Sequence, residues 1–251
     1  MKRFLVAAIV TTFVAVPGQR TRADEKEAKA TIDKAIKAIG GEEALGKAKV
    51  LSWKTKGTIT FNGNDGQIST LTTSQGIDHY RSEIEGDFNG NTFTGVVVLN
   101  GDKGWRKFGD NNVDLDGDAI ANEKRSVYLQ VVPALLLPLK GKDFKVDSAA
   151  EEKVGDKPAA VVKATGPDGK DFTLSFDKES GLLVKMVAKV IGMQGDEFTQ
   201  ETAFTNYKDF GGTKQATKRT SKRDGEKFLE AEVSDFKILD KADAKAFSQP
   251  D

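Results

Sequence analysis

Apolar positions along this chain recur with two different periods, and the switch between them divides it into elements. From Asp24 to Gly41, Ile32, Ile36 and Ile39 fall at i, i+4 and i+7 among charged residues, and Gly40 follows them. This is the pattern of a short amphipathic helix whose apolar face must dock on something. After the turn G-E-E-A-L-G the period drops to two. In V-L-S-W-K-T-K-G-T-I-T-F, Leu51, Trp53, Ile59 and Phe61 share one parity, which predicts a half-buried strand closed by the turn N-G-N-D-G. Alternating runs follow at hairpin spacing over 67–74, 78–85, 92–100 and 104–108, and again from Phe144 through 158–165, 171–176, 182–191, 198–210, 213–222 and 227–239.

Consecutive short strands with local turns predict an antiparallel meander of about eleven strands. Between its halves lie an acidic loop, D-N-N-V-D-L-D-G-D, and a helical stretch over 119–131. No linker is long or polar enough to mark a boundary, so residues 24–251 are expected to form one domain. The fold class expected is mainly β with a few helices (α+β): a single curved antiparallel sheet, an unclosed half-barrel, with helices over its concave face. The physical reason is that twist accumulates and large open sheets curl, leaving a concave face to be filled, covered or occupied by a ligand.

One segment stands out from a chain in which 30% of residues are charged. S-V-Y-L-Q-V-V-P-A-L-L-L-P-L-K, Ser126–Lys140, is almost wholly apolar and carries Pro133 and Pro138. Proline does not sit inside a continuous helix without cost and pushes the residue before it, Val132, out of helical geometry. The expectation is a helix, a kink at Pro133, and a short apolar turn, Ala134–Leu137, ended by Pro138. So bent, the segment would plug the mouth of a curved sheet, either as permanent core or as a movable lid whose Leu135, Leu136 and Leu137 fill the cavity until a ligand displaces them.

The N-terminus adds a destination. Lys2 and Arg3 precede the apolar stretch Phe4–Val16, followed by Pro17, Gly18 and Ala23, the order of a secretory signal peptide over 1–23. The apolar stretch is shorter than the roughly 20 residues that span a bilayer. Cleavage after Ala23 removes Lys2, Arg3, Arg20 and Arg22 from 38 basic residues and none of the 38 acids, leaving 34 against 38 and a net charge of −4. The mature protein is expected to be a soluble monomer in the periplasm or outside the cell. Its charge offers no broad cationic surface for a phosphate backbone, so no nucleic-acid partner is expected. The sequence has no cysteine, which excludes disulfides, thiolate metal sites and cysteine catalysis.

Candidate chemistry is sparse. His79 is the only histidine and reads as a surface or strand-edge residue, since a working base needs a positioned partner. N-V-D-L-D-G-D-A-I-A-N-E approaches a calcium loop, with oxygens at Asn112, Asp114, Asp116, Asp118 and Glu123 and a turn at Gly117. Asn112 replaces the usual first aspartate and a strand precedes the loop, so a solvated loop whose Asp116 or Asp118 caps the next helix is the favoured reading. Trp53 and Trp105, on different strands, suit a cavity wall or an ordinary core. The Lys/Glu/Asp-rich final strands read as the solvated convex face. There is no G-x-S-x-G and no paired histidine, so neither an enzyme nor a cofactor is expected.

The order of these elements resembles the outer-membrane lipoprotein-sorting superfamily of LolA/LolB-like carriers. The likeness rests on the opening A-I-G-G-E-E-A-L-G-K-A-K-V-L-S-W-K-T-K-G-T, the mid-chain helices, N-Y-K-D-F-G-G-T-K-Q-A-T-K, and the ending I-L-D-K-A-D-A-K-A-F-S-Q-P. The most specific residues are Tyr207, Phe210, Gly211, Gly212, Phe247 and Pro250. The resemblance covers about residues 25–250. It implies a half-barrel whose cavity takes a lipid, an acyl chain or an acylated protein without catalysis. It also implies a lid-locking arginine just ahead of the third strand, where this chain has Ser74 and Gln75, with Arg81 nearby but out of place. The candidate cavity and lid residues are Trp53, Ile59, Phe61, Trp105, Tyr128, Val131, Leu135, Leu136 and Leu137. The alternative is an envelope protein-interaction module whose concave face is permanently packed and binds no ligand.

Overall fold

In the computed structural model, residues 22–61, 63–192 and 195–250 are described. The expected signal peptide falls on residues 1–23, of which 1–21 lie outside the described part. Helix α1 (Arg22–Ala38) and the short α2 (Glu42–Gly46) lead into six strands: β1 (Val50–Phe61), β2 (Asn64–Gln75), β3 (His79–Phe88), β4 (Asn91–Asn100), β5 (Lys103–Phe108) and β6 (Asn111–Leu115). Helix α3 (Gly117–Leu135) and a 3-10 turn (Leu137–Lys140) follow. Seven strands complete the chain: β7 (Lys145–Val154), β8 (Lys157–Thr165), β9 (Asp171–Asp177), β10 (Leu183–Ile191), β11 (Glu197–Phe210), β12 (Thr213–Arg223) and β13 (Glu226–Leu239).

All thirteen strands join one open sheet in the order β6-β5-β4-β3-β2-β1-β13-β12-β11-β10-β9-β8-β7. The chain therefore enters at the middle, meanders out to one edge, and must reach the opposite edge before meandering back to pair β13 with β1. α3 and the 3-10 turn make that crossing. Their buried residues and those of α1 share one core cluster with the inward parity of the strands: Leu51 and Trp53, Tyr80, Leu99, Ala164, Phe172, Met186 and Phe204. This is the concave face. α1 covers its β7–β8 end with Ala28, Ile32, Ala35, Ile36 and Ile39, all buried. Gly40 ends that helix at φ +134°, where a Cβ would stand 2.5 Å from the Gly212 carbonyl oxygen, and Lys214 N–H donates to the Ile39 carbonyl at 2.9 Å. The helix thereby locks onto the β11–β12 turn, which explains the glycine at 40, while Gly212 is required by its own φ of +92°.

The structure corrects the sequence reading at three points. The acidic run expected as a loop contributes β6, so the sheet has thirteen strands where about eleven were expected. α3 is not broken at Pro133 but continues to Leu135. Pro133 lies in the last turn of a 19-residue helix, where its missing N–H removes only one late hydrogen bond. The break comes at Leu136, which is left-handed at φ 57° and whose N–H donates to the Val132 carbonyl at 2.8 Å. A left-handed leucine costs about 1–2 kcal/mol, and complete burial of its side chain, worth roughly 1.5–3 kcal/mol, offsets that. Pro138 begins the 3-10 turn rather than ending an apolar one, a place where its absent N–H has no partner to lose.

α3 is fastened to the β8–β10 side by a buried arginine. The Arg125 side chain is 3% exposed and reaches Asp168 at 3.0 Å. It donates to the Lys189 carbonyl at 2.8 Å and the Asp171 carbonyl at 3.1 Å, and contacts the Tyr128 hydroxyl, which itself donates to Asp168 at 2.9 Å. Each of the three nitrogens of this fork donates to an oxygen. We expect Arg125→Ala to destabilise the protein by about 3 kcal/mol, the lower range for breaking a buried pair, because Asp168 is still 20% exposed. Urea unfolding followed by circular dichroism measures it.

Candidate functional site

Between α3 and the centre of the sheet lies a cavity of about 270 Å³. Alternation along the strands builds its floor. Trp53 and Thr55 on β1 pair with Thr72 and Thr70 on β2, and Thr55 pairs with Val233 on β13 on the other side. Farther across, Ala231 pairs with Arg219 on β12, and Arg219 with Phe204 on β11. Met186 on β10 pairs with Thr202. α3 supplies the roof with Ser126, Leu129, Gln130 and Pro133. Among the described lining residues there is no carboxylate, histidine or cysteine.

Two arginines interrupt this apolar and hydroxyl-bearing surface. Arg223 is satisfied: its Nε donates to Gln200 at 3.0 Å, and its guanidinium stacks 3.4 Å from the Phe228 ring centre and 5.3 Å from that of Phe198. Burial pushes its pKa down to about 10, which leaves it charged at neutral pH. Arg219 is different. Its guanidinium lies 5.9 Å from the Phe204 ring centre, its Nε is sealed from solvent without a hydrogen-bond partner, and it makes no ion pair among the described residues. Burial holds its pKa below the usual arginine range, opposed by the nearby phenols of Tyr207 and Tyr80. Both phenols are committed elsewhere: Tyr207 donates to the Leu183 carbonyl at 2.7 Å and Tyr80 to Gln130 on α3 at 3.2 Å.

Beyond α3 the concave face continues over β2–β5 as an aromatic rail. Phe93 and Phe108 pair across strands with Gly86 and Gly95, Phe88 lies over Gly66, and a Cβ on any of these glycines would stand 2.1–2.5 Å from the facing ring. The rings of Phe88 and Phe93 stack with centres 6.1 Å apart, and those of Phe93 and Phe108 lie 6.5 Å apart. Cavity residue Ile68 pairs with Gly86, so the rail adjoins the cavity.

Over most of the chain this architecture matches solved structures. A LolA superfamily protein from Nitrosomonas europaea superimposes with a TM-score of 0.58 at 14% identity, covering 87% of this chain and 96% of that one. A DUF1329 family protein from Desulfovibrio piger gives 0.55 at 13% identity, over 88% and 97%. A putative outer membrane lipoprotein-sorting protein domain from Vibrio parahaemolyticus gives 0.52 at 11% identity, over 88% and 97%. The chain has the LolA-like fold. No protein-family model matches the sequence, and no curated protein matches it.

Within this LolA-like sheet the sequence candidates separate. Trp53 lines the cavity, 2% exposed and stacked on Phe236 with ring centres 6.3 Å apart. Tyr128, Val131, Leu135 and Leu136 lie in the packed core, and Leu137 is half-buried against it. Ile59 sits farther along the concave parity beside Gly66 and Leu229, and Phe61 at the strand's end is 43% exposed. Trp105 has the opposite parity and lies on the convex face, paired with Val98 and Asp114. The C-terminal tail crosses there: Phe247 packs edge-on against His79 with ring centres 5.6 Å apart, and the Pro250 carbonyl accepts from Asn112 at 3.0 Å.

The calcium-loop residues disperse. Asn112 and Asp114 are strand residues engaged with the tail, and Glu123 pairs with Arg106 at 2.8 Å. Among the described residues no group of three or more potential metal ligands converges. Asp116 holds the N-cap position of α3 in extended geometry but its side chain makes no capping hydrogen bond, a correction to that half of the expectation, while Asp118 stands in the first turn at the positive end of the helix. Ser74, at the lid-lock position, donates to the Gly76 carbonyl at 2.7 Å, and Arg81 pairs with Glu83.

Sequence reading missed Arg219 because it lies in T-K-Q-A-T-K-R-T-S-K-R, a strand taken for solvated surface. A signal was present. Lys214, Lys218 and Lys222 share one parity of β12, while Arg219 and Arg223 share the other, and arginine is the more weakly hydrated of the two cations. Since Arg219 is half-buried with its Nε sealed and unpartnered, and an unpaired cation drawn out of water costs more than an apolar side chain of similar reach, Arg219→Met is expected to raise stability by up to about 1 kcal/mol, read as a higher urea midpoint at unchanged slope.

Proposed function

We propose that the mature chain is an exported, non-catalytic binder of a lipid, an acyl chain or the acyl group of a lipoprotein, held in the cavity under α3 as a carrier or sensor. The observation that carries this reading is a largely apolar cavity whose described lining has no carboxylate, histidine or cysteine, roofed by a helix and continued by the aromatic rail. Its volume of about 270 Å³ sits just below the roughly 300 Å³ at which small-molecule sites begin, which suits one acyl chain rather than several. Each buried methylene contributes about 0.8 kcal/mol, so about ten of them give roughly 8 kcal/mol before ordering costs, enough for micromolar binding at best. The leader over 1–23 and the LolA-like fold support a place in the bacterial envelope. Among the described residues no helix is long and apolar enough to cross a membrane.

A second reading, the envelope protein-interaction module with a permanent core, is favoured by one observation. Leu135 and Leu136, the residues a displaceable plug would use, are buried in the main core cluster. The two readings separate on uptake. Thr70 lines the cavity on a half-buried strand position, so Thr70→Trp fills space without emptying any. The binder reading expects wild-type protein to take up a fluorescent fatty acid and Thr70→Trp to bind it at least tenfold more weakly at unchanged melting temperature. A wild-type protein that takes up neither fatty acid nor phospholipid, and carries no lipid in native mass spectrometry of protein from its own envelope, would leave the interaction module as the function.

A further inference from the structure

Arg219 poses a problem of charge that the fold itself does not solve. A guanidinium carries five N–H donors and a full positive charge, and natural structures pair such a group when they bury it. Arg125 shows what a structural arginine looks like in this same molecule, with a carboxylate, two carbonyls and a hydroxyl around it. Arg223 has an amide oxygen and two aromatic faces. Arg219, on the floor of the cavity, has a ring face and an unpartnered Nε. Its cross-strand neighbour Ala231 is small, and the adjoining wall bears the hydroxyls of Thr202 and Ser221, already 2.9 Å apart in a hydrogen bond. Arg219 and Arg223 lie four residues apart on one strand face, about 13 Å at the usual rise per residue, too far for one small anion to bridge. The free cation is therefore a single point on the cavity floor.

We propose, building on the binder reading above, that the ligand is a single-chain amphiphile with an anionic head, and that Arg219 receives that head. A carboxylate or phosphate would meet the guanidinium fork through charge-assisted hydrogen bonds, with the hydroxyls of Thr202 and Ser221 beside it. The tail then lies among Trp53, Ile68, Leu129, Pro133 and Met186. Arg219 thereby sets specificity: apolar burial accepts any chain, and the half-buried cation favours an anion over a neutral head, which leaves its sealed Nε unpaired.

The test compares three ligands of one chain length, palmitate, hexadecyl phosphate and hexadecanol, by displacement of a bound fluorescent probe from the mature protein. Wild type is expected to bind palmitate or the phosphate at least tenfold more tightly than hexadecanol, and the tighter of the two anions identifies the head. Arg219→Met is expected to abolish this preference, weakening the anions at least tenfold while hexadecanol binds as well as before, which also shows the variant to be folded. Arg219→Lys should retain part of the preference. Equal binding of all three ligands by wild type overturns the role of Arg219 and leaves the binder reading standing. Binding of none of them removes the binder reading and the inference together. An anion preference that survives Arg219→Met, or that Arg219→Lys abolishes completely while keeping hexadecanol affinity, also overturns the assignment.

Discussion

The structure depends on one topological constraint: the chain enters its sheet in the middle. With β1 central and β6 and β7 at opposite edges, the connection from β6 to β7 has to traverse the full width of the sheet. A crossing on the convex side would expose an apolar helix to water, whereas on the concave side α3 buries Val127, Leu129, Val131 and Val132 against inward strand residues. The cover of the half-barrel is thus the shortest apolar route between two edges. The seam under it, where β1 meets β13, is tight. At Gly57 a Cβ would lie 2.6 Å from the Ala231 Cα and 2.2 Å from the Glu230 carbonyl oxygen. Glycine at 57 and alanine at 231 keep the centre of the floor low, which is where the cavity forms.

Much of this was legible because strand parity is a local property. Ile32, Ile36 and Ile39 announce α1, and Leu51 and Trp53 announce the buried parity of β1, from spacing alone. What failed depended on distant partners. β6 is a polar strand, with Asn111, Asn112 and Asp114, and forms because it pairs with β5 and receives the C-terminal tail on its outer side, neither visible in its own composition. Pro133 reads as a helix breaker, yet the helix tolerates it near its end while Leu136 takes the turn under tertiary burial. Trp105 alternates correctly, but which parity faces the cavity follows from Leu99 and Leu115 flanking Gly104, not from the tryptophan's size.

The site was less legible than the fold because its distinctive group is a charge in a charged strand. An arginine on β12 carries no local mark of burial; only the segregation of lysines and arginines by parity hints at it. The core, by contrast, absorbs the leucine-rich run that catches the eye in the sequence. Apolar residues report where a fold is stable. A function that uses an uncompensated charge is recorded instead where stability is given up.

The ties that hold α3 to the sheet are unequal. On the β8–β10 side the helix is held by the Arg125 fork, buried and fully engaged. On the β3–β5 side it is held by Lys124 with Asp102, whose carboxylate is 99% exposed, by Arg106 with Glu123, and by the 3.2 Å hydrogen bond from Tyr80 to Gln130. The solvent-exposed Lys124–Asp102 pair contributes at most about 1 kcal/mol and weakens with salt, while breaking the buried fork costs several times that. α3 is therefore held more weakly on the β3–β5 side than on the β8–β10 side. The β3–β5 side borders the aromatic rail of Phe88, Phe93 and Phe108, so the more weakly tied edge of the cover is the one that faces the apolar surface continuing the cavity.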